Sequence, residues 1–277
     1  MHKKAIWQSA LILLSAALLV HGQEAQQSQE AAAPPAPASP VAKQPSIKSQ
    51  KELEAIQAIF QAVGPELRIK AAEDLIANFK DTEFKAIALQ MCTISAQELN
   101  DYERTMVYGE RTLEADPENY QAMLAMAGTI AQKIGKFDLD KEEKLARVND
   151  LTSRAMKILE TAPRPNENVT DEIWASAKNN FRAEAHQALG IAALANEEFE
   201  KAVTAFKQAV DLSGGMDPAV KVRLAVSYNR VGNYNEAIVV LDEVLAEPDL
   251  HPGIQNVAQA EKLNAMKLKE AKQTGNQ

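Results

Sequence analysis

A single cysteine in 277 residues excludes a disulfide-stapled fold, because Cys92 has no partner within the chain. Aromatic residues make up 5% of the sequence, too few for the aromatic and β-branched strands of a sandwich or barrel. Eleven glycines and twelve prolines are also too few for the closely spaced turns such folds need. Blocks of one charge are missing as well. The 30 basic residues are scattered among 38 acidic ones, as in Asp140-Lys141-Glu142-Glu143-Lys144, and the net charge is −8. A nucleic-acid binder would gather its basic side chains into a stripe, so no nucleic acid is expected as a partner. What the chain has instead is alanine, about one residue in six against ordinary usage. Small side chains with high helix propensity point to closely packed helices.

The N-terminus is a different kind of sequence. His2-Lys3-Lys4 precedes an apolar run from Ala5 to Val20, in which Leu11–Val20 has the length of a signal h-region. Val20-His21-Gly22 supplies a small residue for cleavage. The run is shorter than the roughly 20 apolar residues of a membrane span. Residues 1–22 therefore read as a secretory signal peptide, with retention as an anchor through residues 5–20 as the alternative. The expected location is periplasmic or extracellular, and the membrane enters only if that segment is retained. No cysteine follows the apolar run, which argues against a lipoprotein. Removal of Lys3 and Lys4 leaves a net charge near −10. Residues 23–49 are mostly Gln, Ala, Pro and Ser, including Ala33-Pro34-Pro35-Ala36-Pro37. Such a segment buries too little surface to offset chain entropy and is expected to be a disordered or partly extended linker.

From residue 50 the apolar pattern takes a period of 3.6. Leu53, Ile56, Ile59, Phe60 and Val63 mark one helical face, stopped by Gly64-Pro65. Leu67, Ala71, Leu75, Ile76 and Phe79 mark the next. Ile238-Val239-Val240-Leu241 is the best strand candidate, yet Ala237, Val244 and Leu245 continue it at helical spacing. Thr170-Asp171-Glu172 reads as an N-cap with an acidic first turn, opening a long helix that carries Trp174, Phe181, Leu189 and Ile191.

No catalytic or metal constellation is found. Phosphate-loop, dinucleotide, zincin and nucleophile-elbow motifs are absent, so no enzyme and no cofactor is expected. Gly214-Gly215 follows helical residues and precedes Pro218, which reads as a helix C-terminal turn. Asp138-Leu139-Asp140-Lys141-Glu142-Glu143 has Glu143 where a calcium loop needs glycine, and reads as an inter-helix loop. His186 and His251 are too far apart in sequence to suggest a zinc pair. Asn168-Val169-Thr170 matches a glycosylation sequon, but an N-cap role accounts for Thr170. Cys92, Met123, Met126 and Trp174 sit at helical spacing and are expected to be core.

An internal repeat organises the rest. Shifting Ala183–Met216 by 35 residues onto Pro218–His251 brings Leu189 to Leu224, Phe199 to Tyr234, Ala202 to Ala237, Phe206 to Leu241 and Ala209 to Val244. This spacing resembles the tetratricopeptide repeat. His186, Leu189, Gly190 and Ala193 fall in its Trp, Leu, Gly and Tyr slots, and Lys221, Leu224, Ala225 and Tyr228 follow them. In 86–119, Tyr102 takes the turn aromatic and Asp116-Pro117 closes the unit. Cys92, Thr93, Thr105, Gly109 and Thr112 hold its Leu, Gly, Ala, Phe and Ala slots. The resemblance implies an all-α, right-handed superhelical solenoid of antiparallel helix pairs over residues 50–272. Its units lie near 50–85, 86–119, 120–163 with an insertion, 183–216 and 218–251, with a capping helix at 253–272.

The resemblance also implies a concave surface built from the first helix of each pair, holding a protein or peptide. The positions carried over are Gln187, Ile191 and Leu194, then Val222, Arg223, Val226, Asn229 and Arg230. The 86–119 unit would add Gln90, Ile94 and Gln97. The Lys and Asn pair that clamps a terminal carboxylate in the chaperone-binding members is replaced by Gln90 and Ile94, Gln187 and Ile191, or Val222 and Val226. An apolar groove fits an amphipathic helix or apolar peptide, and equally a groove filled by the chain's own helices. Arg223 and Arg230 fit an acidic partner segment, or solvated arginines paired with Asp242 or Glu243. The implied function is a protein-interaction scaffold or adaptor in a bacterial cell envelope. The alternatives are a self-associating envelope component and an enzyme with its site in 120–181.

Overall fold

A computed structural model describes residues 39–274. Among these residues there are eleven α-helices, and the only β-type pairing is an isolated bridge between Val41 and Arg164. The helices are α1 (Gln50–Gln61), α2 (Pro65–Asn78), α3 (Lys85–Glu98), α4 (Tyr102–Ala115), α5 (Tyr120–Ala131) and α6 (Lys141–Thr161). They continue with α7 (Asp171–Ala195), α8 (Phe199–Leu212), α9 (Pro218–Arg230), α10 (Tyr234–Leu245) and α11 (Pro252–Thr274). The signal-like residues 1–22 and the linker residues 23–38 lie outside the described range. The β-branched run at 238–241 is helical, within α10. The described residues divide into two compact units, 39–119 with Lys157–Lys178, and Tyr120–Met156 with Asn179 onward.

In the first unit, α1 opens on a reciprocal cap. Ser49 Oγ accepts from the Glu52 N–H at 3.1 Å, and Glu52 Oε2 accepts from the Lys48 N–H at 2.6 Å. Glu52 is buried by this arrangement, and hydrogen bonds from the Thr82 side chain and Lys48 hold its carboxyl below the usual range. Gly64, at φ +100, makes the turn into α2, and Pro65 takes the first helical position. Ile56, Ile59, Ile69, Ala72 and Leu75 pack with the α3 residues Ala88, Leu89, Cys92 and Ile94 and with Tyr108 of α4. Val63 and Leu67 are not part of these faces. They flank the Gly64 turn and stand 86% and 57% exposed, because the turn rotates them out of the apolar stripe.

Residues 39–49, read from sequence as the end of a linker, are an extended strap bound to this unit. Ala42 N–H donates to the Arg164 carbonyl and Arg164 N–H to the Pro40 carbonyl, each at 2.8 Å. Arg164 Nε donates to the Ser39 carbonyl, and the Ser39 N–H donates to Asp171 Oδ1. Further along, Ser46 Oγ donates to Glu83 and Lys48 Nζ to the Asp81 carbonyl. Composition underestimates this segment because its attachment is through backbone groups, which any sequence carries.

In the second unit, one apolar cluster joins Ala193, Ala202, Phe206, Ala209, Val220 and Leu224. Another joins Val222, Ala225, Ala237, Leu241, Val244, Ala258 and Ala265. Tyr120 meets Phe181 edge to face at 5.1 Å between centroids. Met123 and Met126 are fully buried in α5. The loop before α6 is pinned, since Asp138 accepts from the Gly135 N–H and from Lys144 Nζ, which also reaches Asp140. The acids that faintly resembled a calcium loop thus hold a lysine.

The same turn recurs three times between the helices of a pair. Asn100, Glu197 and Gly232 have φ of 57, 59 and 80. The next residue's N–H bonds back to Ala96, Ala193 or Tyr228, at 3.0, 2.9 and 2.9 Å. An aromatic residue follows and opens the second helix: Tyr102, Phe199 or Tyr234. Facing positions 16 residues apart then exchange volume. Gly190 meets the Phe206 ring, and in the next pair Ala225 and Leu241 share one buried cluster. As the residue of the first helix grows, the one of the second shrinks, which keeps the interior close-packed.

Candidate protein-binding groove

The residues carried over from the repeat register lie on α7 and α9. Gln187, Ile191 and Leu194 stand one helical turn apart along α7 and are all half-buried. Ile191 and Leu194 lean on the Phe206 cluster. On α9, Val226 is half-buried, Arg223 is half-buried, and Arg230 is exposed. Among the described residues the Arg223 guanidinium has no ion pair or hydrogen bond, and neither Asp242 nor Glu243 pairs with either arginine. Asp242 pairs with Lys262 at 2.5 Å instead. Arg230 lies over the Phe199 ring, 6.0 Å from its centroid.

Val222 and Asn229 depart from the expectation. Both are buried, because α11 packs across α9. Val222 joins Ala258 and Ala265 of α11, and Asn229 Nδ2 donates to the carbonyl and to Oε2 of Glu261. In the first unit, Gln90 and Ile94 are likewise buried rather than lining an open surface. Ile94 is core, and Gln90 Oε1 accepts from Asn119 Nδ2 at 2.9 Å. Helical periodicity marks these positions as facing inward, but it does not say which neighbouring helix covers them.

Two titratable groups sit on the same stretch of α7: Glu184, which the sequence reading missed, and His186, which it placed in the repeat's Trp slot. Burial pushes the Glu184 carboxyl up to about 7, and burial lowers the His186 imidazole below its ordinary value. The signal that could have found Glu184 is its place in the repeat, three residues before Gln187 on the same helix. Burial also pushes the Cys92 thiol up to about 12, so it stays protonated and inert. Among the described residues no cluster of three or more His, Cys, Asp and Glu side chains could hold a metal ion. No described helix is long and apolar enough to cross a membrane.

A family model described as the tetratricopeptide repeat matches residues 193–263, from the end of α7 into α11. No curated protein matches the chain significantly. Among solved structures, the chain is similar to a thermophilic tetratricopeptide repeat protein from Thermus thermophilus, at 15% identity and a TM-score of 0.49, covering 77% of this chain and 98% of the other. It is similar to MamA, from residue 41 to the end, of Desulfovibrio magneticus, at 18% identity and a TM-score of 0.47, covering 71% and 94%. A tetratricopeptide repeat protein from Parabacteroides merdae overlaps at 14% identity and a TM-score of 0.39, covering 82% and 94%. None of the three transfers a function at these values.

Proposed function

We propose that this chain, whose residues 193–263 match the tetratricopeptide repeat, is a scaffold or adaptor that holds another polypeptide. Repeats of this kind stack helix pairs and offer extended binding surfaces. The observation that carries the reading is the row of part-exposed side chains on the first helices of the last two pairs. Gln187, Ile191 and Leu194 of α7 and Arg223, Val226 and Arg230 of α9 keep surface that no described helix covers. Apolar centres flanked by Gln and Arg suit an amphipathic helix or peptide with acidic residues at its edge. The proposed setting is a bacterial cell envelope, which rests on the signal-like residues 1–22 alone.

The structure suggests which variants test this. Ile191 and Val226 carry packing, so charges there would disturb the fold as well as the surface. Gln187→Lys with Arg223→Glu alters the surface and leaves the core intact. Crosslinking of the full chain in its native envelope, followed by mass spectrometry, is expected to yield a partner that this double variant loses. A partner set unchanged by the variant sinks the reading.

Self-association is a second reading with an observation of its own. Val257, Leu263, Met266 and Leu268 of α11 are all exposed. Light scattering over a range of concentrations is then expected to show assemblies that Leu263→Gln with Met266→Gln abolishes; a mass constant at the monomer value refutes it.

A further inference from the structure

On α7, Glu184, Gln187, Ile191 and Leu194 follow one another at i, i+3, i+7 and i+10, which is one face of a helix. All four are half-buried, and Ala183, Ala185, Ala188 and Ala192 to either side of the row are buried. The row is the one assigned to the groove, continued by one turn toward the N-terminus of α7. Glu184 has no ion pair and no hydrogen bond among the described residues. The charges of the surrounding elements are engaged elsewhere or turned away. Arg182 and His186, two positions from Glu184 on α7, lie about 200° around the helix, and Arg182 faces Asn179. The helix α5, which meets α7 through Tyr120 and Phe181, carries no ionisable side chain apart from Tyr120. On α6, Arg147 and Arg154 pair with Asp150, and Lys144 with Asp138 and Asp140. Glu200, Lys201, Lys207 and Asp211 of α8 are exposed. On α9, Ala219 holds the position that the 35-residue repeat gives to Glu184, Lys221 pairs with Glu247, and Arg230 lies over Phe199.

A carboxylate that is desolvated, without a counter-charge and still open to the groove is completed by a cation brought from outside. An acidic guest residue would be repelled there, and an apolar one would remove the remaining water without replacing it. We propose that Glu184 receives a lysine or arginine side chain of the polypeptide held in the groove, while Ile191 and Leu194 hold its apolar residues. Glu184 and Ile191 are seven residues apart, about 10 Å along the helix axis, a distance that an extended guest covers in about three residues. The recognised segment therefore carries a basic residue three positions from an apolar one. The acidic residues assigned above to the edge of the guest fall to Arg223, on the other helix. The inference rests on the groove reading and adds the charge that the guest carries at α7.

The test titrates the full chain with capped peptides Leu-Ala-Ala-Xaa-Ala-Ala-Leu, with Lys, Gln or Glu at the centre. A leucine on each side lets the guest lie in either direction. Binding is followed by NMR through the δ1 methyl signal of Ile191, identified by its loss in Ile191→Val. Titrations are run at about pH 8, where a carboxyl pushed up to about 7 is ionised, and at about pH 5.5, where it is protonated. The Lys peptide is expected to bind at least about fivefold tighter than the other two at the higher pH, to lose that preference at the lower pH, and to lose it at both in Glu184→Gln. The substitution keeps the shape of the side chain and leaves His186 in place, so other titrations are common to the two proteins. The pH comparison in the unaltered chain carries the test even if the variant fails to fold. Tightest binding by the Glu peptide overturns the proposal, as does a Lys preference that is the same at both pH values or survives Glu184→Gln. Equal binding of the three peptides that is lost in Gln187→Lys with Arg223→Glu overturns the role of Glu184 and leaves the groove reading standing. No saturable shift with any peptide, or equal binding that survives the double variant, overturns both.

Discussion

Gly190 of α7 lies directly against the ring of Phe206 in α8, so closely that a methyl group at 190 would come within 2.7 Å of Phe206 Cε1. Phe206 is fully buried and cannot move aside. Gly190→Ala is therefore expected to cost about 1–3 kcal/mol, even though alanine is the better helix former by about 1 kcal/mol. The next pair, where Ala225 and Leu241 hold the same two positions, suggests the compensation. Phe206→Leu alone should leave a cavity, and Gly190→Ala with Phe206→Leu should recover stability relative to the sum of the two. Urea unfolding of the four proteins measures the coupling. Strict additivity would show that the register is wrong.

Ala202 begins the contact face of α8 and is fully buried beside Phe206. Ala202→Leu inserts three extra carbons into a close-packed cluster and is expected to cost on the order of 1–3 kcal/mol. The equivalent Ala237→Leu should behave alike, because Ala237 is equally buried at the same position of α10. A thermal melt unchanged by either substitution would contradict the repeat.

Glu184 gives the fold a pH dependence of known sign. Its carboxyl is pushed up to about 7 by burial, above the value near 4.5 for a solvated glutamate. The folded state therefore binds the proton more tightly than the unfolded chain does. Its contribution is fully present below about pH 4.5 and is lost as the pH rises through 7. Glu184→Gln should match the wild type near pH 4.5 and exceed its stability by roughly 1–3 kcal/mol at pH 8. His186, whose imidazole is lowered by burial, is unchanged by the substitution, so the difference between the two curves isolates Glu184. Curves that stay parallel from pH 4.5 to 8 would rule out the burial of this charge.

Arg164 is the fastening of the strap. It bonds the Ser39 and Val169 carbonyls and lies 3.6 Å from Asp171. Arg164→Ala should release residues 39–49 while the backbone pairing at Ala42 weakens, with a loss of roughly 1–3 kcal/mol. Limited proteolysis reads the effect directly, through earlier cleavage within 39–49 than in the wild type. Cleavage there at wild-type rates would mean that the strap holds without this side chain.

These particulars divide what the residues announce from what they conceal. The turn aromatics Tyr102, Phe199 and Tyr234 and the alanines 202 and 237 stand where the repeat spacing places them, because local turn geometry and close helix approach each demand a definite residue type. The length of α7 was equally legible from Thr170 and the run to Leu189. Val63 and Leu67 misled because periodicity continues through a turn that the backbone does not. Val222, Asn229, Gln90 and Ile94 misled for another reason: an inward-facing position can meet either a guest or the next helix, and only packing decides between them. The strap was concealed because its bonds run through main-chain groups.

The strap also sets a length. Were the helices reached only at Ser49, the span from residue 23 could cover about 90 Å or slightly more at full extension. With residues 39–49 held against the helices, the same starting point lies at most about 60 Å along the chain from the anchored strap. Were residues 5–20 retained as an anchor, the repeats would be confined to a smaller volume, and a partner fixed to the same surface would be met at a correspondingly higher local concentration.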